Sequence, residues 1–230
     1  MNSNRLIERN APRLLGVAFL GVVVTSLIGG LAPLTPASGS DSVSAVLTTV
    51  SQNVSLMRFA ILGGVLNCAG IVILAVLLFS VLGGQSKTLA LIALGLWFGE
   101  AIFYAVYVLG AAALIPLSLD FVKAGSPDGS HFQALGGFLY QGLAKFGMTI
   151  LMFFYCSGGI VWYSLFFRSR SIPRMLALYG IAAVCVGMVG IVLELLGNDV
   201  PMIVFIPIGL FEIITGLWLL IRGTNTHAMA

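Results

Sequence analysis

The stretch SLMRFAILGGVLNCAGIVILAVLLFSVL, residues 55–82, decides the class of this protein. Its one charge is Arg58, near the start, and its one amide is Asn67, near the middle. A helix that crosses a bilayer needs about 20 consecutive apolar residues, whereas a barrel strand shows only ~10 residues of alternating polarity. The run is unbroken, so it predicts a membrane-spanning helix. Working outward, five more runs read the same way: 14–31, 89–117, 138–167, 175–196 and 202–221. The expected fold is all-α, a polytopic membrane protein of six transmembrane helices forming a single membrane domain over residues 1–230.

Composition agrees. Hydrophobic residues make up 59% of the 230 residues and charged residues 8%, with a mean hydropathy of +1.09. Soluble domains carry roughly 25% charge, and disordered chains need low hydrophobicity. Both classes are excluded. A net charge of +3, scattered along the chain, points to no nucleic-acid partner. The three cysteines lie in apolar runs and suggest neither a disulfide framework nor a zinc site.

Orientation follows from the basic residues. Threading the chain six times places Arg5, Arg9, Arg13, Lys87, Arg168, Arg170, Arg174 and Arg222 on one side. Lys123 falls on the other side, with Asp41, Asp120, Asp128 and Asp199. The positive-inside rule makes the basic side cytoplasmic, so both termini are expected in the cytoplasm and the protein in the inner (plasma) membrane. The first run follows three arginines as a signal peptide would, but five spans follow it, so it reads as a retained first helix. Two outer segments are polar enough to leave the bilayer core. In 41–52, Val43, Val46, Leu47 and Val50 form a helical stripe, expected to lie on the outer lipid surface. The segment 120–137, with Gly125, Pro127 and Gly129, reads as a loop ending in a short amphipathic turn.

A family resemblance runs through the chain. Residues 165–176, LFFRSRSIPRML, resemble the loop between spans four and five of the bacterial integral membrane family catalogued as domain of unknown function 4386. Leu56-Met57-Arg58-Phe59 resembles that family's start of span two, and Glu100-Ala101-Ile102 its span-three acid. Glu212, followed by GLWLLIRG at 216–223, resembles its last span. The resemblance covers about residues 13–223. Where family members carry acids in span two and a histidine early in span four, this chain has Gly64, Ile71 and Gln141. The family brings no established activity with it.

Charges inside hydrocarbon cost about 2.5–3.5 kcal/mol each on insertion scales, so those that are there need a reason. Five candidates stand within the spans: Arg58, Glu100, Lys145, Glu194 and Glu212. Glu100 shares a helix face with Trp97, Tyr104 and Tyr107, at i−3, i+4 and i+7. A carboxyl flanked by phenols suits a proton or cation site, or a polar contact that fixes packing. Span four carries Gln141, Lys145, Thr149, Met152 and Cys156 in one stripe, which reads as a cavity wall or as a lysine snorkelling to the interface. Glu212 follows Pro207 by little more than a turn, and broken helices near an acid recur in transporter sites. Asn67 among Gly63, Gly64 and Gly70 suits a bridge between helices. Gly180, Ala183, Gly187 and Gly190 make a small-residue packing face that ends at Glu194.

The expected ligand site is therefore Glu100, Tyr104, Tyr107, Lys145 and Glu212, with Arg58, Asn67, Gln141 and Glu194 as secondary candidates. It could bind or move a proton, a cation or a small polar solute. The alternative is a structural or accessory subunit that packs against a partner membrane protein or a second copy. An enzyme is not expected, and neither are cofactors. The two histidines, His131 and His227, form no metalloprotease motif, and no nucleophile elbow or phosphate-binding glycine loop occurs. An intramembrane enzyme using Glu100 would lack a second catalytic group.

Overall fold

The computed structural model describes residues 3–34, 42–127 and 129–223. Asp41, Asp128 and His227 lie outside the described residues. Every regular element among those described is helical: α1 (Ser3–Gly29), α2 (Val43–Gln52), α3 (Val54–Leu82), α4 (Lys87–Lys123), α5 (His131–Gly137), a π-helical segment (Phe138–Phe146), α6 (Gly147–Ser169), α7 (Arg174–Leu195), a 3₁₀ turn (Met202–Phe205) and α8 (Ile206–Arg222). In lipid every backbone polar group must be satisfied within the protein, which a helix does locally. Six spans are long and apolar enough to cross a membrane: Pro12–Gly29, Val54–Leu82, Lys87–Lys123, His131–Ser169, Arg174–Leu195 and Met202–Arg222. The protein is thus a multi-pass membrane protein. Large apolar side chains such as Leu62, Ile102, Leu109, Val189 and Ile203 are exposed along these helices, and lipid is the medium that tolerates them.

Two segments differ from expectation. The α4 helix runs through Pro116 to Lys123 instead of ending at Leu117, and the fourth span starts at His131 instead of Phe138. The loop expected over 120–137 is therefore shorter, and the short amphipathic turn expected at its end is the helix α5, which runs on into the π-helical segment. The 37 residues of α4 exceed the about 20 that a span needs, so its polar last turns can stand outside hydrocarbon. The stripe on α2 does not lie on lipid. Val46, Leu47 and Val50 are buried with Met57, Ala111, Leu114, Phe121 and Tyr140. The physical reason is that α3, α4 and the segment 138–146 offer an apolar protein surface through Met57, Leu114, Phe121 and Tyr140, which α2 covers. Ser42 caps α2 by accepting from Ala45 N.

The chain packs as two compact units. One comprises the described parts of 1–24, 69–101 and 151–230; the other comprises 25–68 and 102–150. In the first unit α1 meets α8 through glycines. A Cβ on Gly16 would stand 2.6 Å from Leu220 N and 2.8 Å from Gly216 O, so only hydrogen fits there. The small-residue face of α7 is buried: Gly180 meets the Phe211 ring and Gly187 meets Ile208. In the second unit Gly63 lies against Ile28 and Gly29, and Gly64 against Val108. Beside them Thr25 Oγ1 donates to Asn67 Oδ1 at 2.9 Å.

Pro207 does not break a span. It stands in the first turn of α8, where its missing N–H would have had no helical partner. A 3₁₀ turn, Met202–Phe205, leads directly into α8, and Tyr179 Oη donates to the Pro207 carbonyl at 3.0 Å.

Candidate functional site

The first unit holds a polar cluster built from three helices. The α4 helix supplies Trp97 and Glu100, one turn apart. The α6 helix supplies Tyr155, Trp162 and Tyr163, at i, i+7 and i+8 and so on one face. The α8 helix supplies Glu212 and Thr215. Glycine lets the elements close: a Cβ on Gly158 would fall 2.4 Å from Trp97 Cδ1. The indole lies on the α6 backbone and its Nε1 donates to the Tyr155 carbonyl at 3.1 Å. Its ring stacks on Tyr155 with centroids 5.7 Å apart and planes 11° apart, and meets Trp162 edge-on at 6.2 Å.

The hydroxyls form a directed chain. Tyr155 Oη donates to Glu212 Oε1 at 2.9 Å, and it lies 2.9 Å from Tyr163 Oη. A phenol has one hydrogen. With the Tyr155 hydrogen given to Glu212, Tyr163 must donate to Tyr155. Tyr163 is fixed from its other side by Phe211, centroid to centroid 4.3 Å.

Glu100 is different. It is 5% exposed, and its Oε2 is buried with no hydrogen-bond partner among the described residues. Trp162 Nε1 and Thr215 Oγ1 in the same unit are equally without partners there. Glu212, partly buried, lies close enough to Glu100 to act on it electrostatically. No ion pair with a described residue is found at either acid; an exposed pair, Lys123–Asp120, stands on one helix turn elsewhere. Buried polar atoms are nearly always bonded, so several orphans in the unit that holds both acids mark a place where packing alone does not account for the residues.

The expected site residues divide. Glu100 and Glu212 belong to the first unit; Tyr104, Tyr107 and Lys145 belong to the second. Tyr104 and Tyr107 are buried and meet edge-on at 5.7 Å. Lys145 and Gln141 are exposed on the π-helical segment. That segment also corrects the stripe from Gln141 to Cys156. A π turn takes an extra residue, so positions four apart drift around the axis; Gln141 and Lys145 end up exposed while Cys156 is buried. Arg58 is exposed beside the buried Met57, Glu194 is partly buried near the end of α7, and Asn67 is 2% exposed in its bond to Thr25. Sequence reading missed Tyr155 and Tyr163. Their spacing on an otherwise apolar span was the available sign, since a phenol in lipid needs a partner. Among the described residues no group of three or more His, Cys, Asp or Glu side chains could hold a metal ion.

Fold and cluster define a class: a multi-pass helical membrane protein with a two-carboxyl, two-phenol centre within one of its packed units. The family model for the domain of unknown function DUF4386 matches residues 14–223, and the chain belongs to that family. No curated protein and no solved structure matches it significantly.

Proposed function

We propose that this is a non-enzymatic, ion-handling protein of the bacterial inner (plasma) membrane, in which Glu100 and Glu212 form the binding centre. One observation carries the reading: Glu100 Oε2 is buried, unpartnered and close to a second acid. Two carboxyls without a basic partner attract positive charge, and a charge held in a membrane interior is retained for function more often than for stability. The basic residues around the loop 168–174 and at Lys87 and Arg222 support cytoplasmic termini. An accessory subunit would be expected to pair its buried polar groups, and the orphaned carboxyl fits that reading poorly. A second copy of the chain remains compatible with the ion-handling role.

The test is flux in proteoliposomes under an imposed membrane potential, with proton and alkali-cation dyes inside. Wild type should pass one of these ions, and Glu100→Gln should reduce the flux by about a hundredfold while eluting as wild type on gel filtration. Absence of flux in wild type would sink the ion-handling reading and put the accessory subunit ahead.

A further inference from the structure

We infer that the ion is a proton and that Tyr163 and Tyr155 hand it to Glu212, an inference that rests on the ion-handling reading above. The three groups are already linked: Tyr163 Oη to Tyr155 Oη at 2.9 Å, and Tyr155 Oη to Glu212 Oε1 at 2.9 Å. A proton reaching the Tyr163 oxygen lets the Tyr163 hydrogen pass to Tyr155, and the Tyr155 hydrogen pass to Glu212. At each phenol oxygen one O–H bond forms as another breaks. The net change is one proton taken up at the Tyr163 end and one O–H bond gained on Glu212, both phenols being neutral as before, with no other reactant.

Packing separates a proton from larger cargo. Rings press directly on backbone around the chain: ideal Cβ positions on Gly158, Gly99 and Gly180 would lie 2.4 Å from Trp97, 2.7 Å from Phe154 and 2.4 Å from Phe211. A hydrated cation or an organic solute would have to displace these rings, whereas a proton moves along hydrogen bonds without displacing any atom. The backbone bond from Trp97 Nε1 and the stacked indole hold the Tyr155 ring, so its hydroxyl keeps both neighbours.

The experiment measures proton and sodium flux in proteoliposomes for wild type, Tyr155→Phe, Tyr163→Phe and Tyr179→Phe, with wild type repeated in heavy water. Tyr179 is a phenol outside the chain, bonded to a backbone carbonyl. The expected result is proton flux without sodium flux, slower in heavy water, cut about a hundredfold by either relay variant and unchanged by Tyr179→Phe. Proton flux that survives in both relay variants, or wild-type flux indifferent to heavy water, overturns the relay. Sodium flux that Glu100→Gln abolishes also overturns it, yet leaves the ion-handling reading standing. If no ion moves in wild type, both fall. The heavy-water arm uses no variant, so a folding defect in either phenylalanine form cannot shelter the relay.

Discussion

Asn67 and Glu100 are both polar groups buried within membrane-spanning helices, one in each packed unit, and they are treated oppositely. Asn67 gives its carbonyl oxygen to Thr25 and sits among glycines that let α1 and α3 touch. Glu100 leaves an oxygen with no partner among the described residues and feels the charge of a second acid, Glu212. The lesson is that burial alone does not describe a polar group in a membrane protein; what each of its atoms is bonded to must be asked as well. A side-chain bond such as Thr25–Asn67 adds modestly to packing, about 0.6 kcal/mol on average between membrane helices. An acid oxygen buried without a partner destabilises.

Three perturbations test how far that contrast holds. The largest effect on stability is expected from Leu47→Ala, which empties a fully buried position under α2. Unfolding in detergent should show a loss of about 2–5 kcal/mol, while ion flux per folded molecule stays at the wild-type level. A flux loss beyond the folded fraction would break the division between scaffold and site. Gly16→Val forces a side chain against the backbone at Leu220 and Gly216. It should cost about 1–3 kcal/mol and also lower flux, because α8 carries Glu212. Unchanged flux would show that the centre tolerates movement of α8. The smallest effect is expected from the double-mutant cycle of Thr25→Val and Asn67→Leu, a coupling near 0.6 kcal/mol in thermal unfolding with flux untouched. A coupling of zero would remove the bond from the account.

Much of the fold could be read directly. Hydrocarbon imposes a length and a polarity on each span, so six apolar runs translate into six helices with small errors at their ends. Those errors, at Lys123 and His131, arise where helices leave the bilayer and its constraint stops. The glycines of α7 were readable because close approach admits few other residues. The acids were readable because charge in lipid is rare. Their partners were not. Tyr155 and Tyr163 are eight residues apart on one face of α6, but the carboxyl that Tyr155 bonds comes from α8, which counting along a single helix does not supply. Lys145 invites pairing with Glu100 or Glu194 by charge, and charge alone does not choose between them. The stripe on α2 was real, and only the identity of its apolar neighbour, protein instead of lipid, depended on tertiary structure.

The meeting of Gly16 with Gly216 ties the earliest helix to the latest, and this sets an order of events during synthesis. A contact between residues so distant in sequence forms late, after α8 has left the ribosome and entered the bilayer. Until then Gly16 presents bare backbone, and the Tyr155 hydroxyl has no carboxylate to reach. The centre therefore does not exist in a nascent chain that has inserted five helices. A half-made molecule waiting in the membrane carries one of the two acids and no complete row of hydrogen bonds.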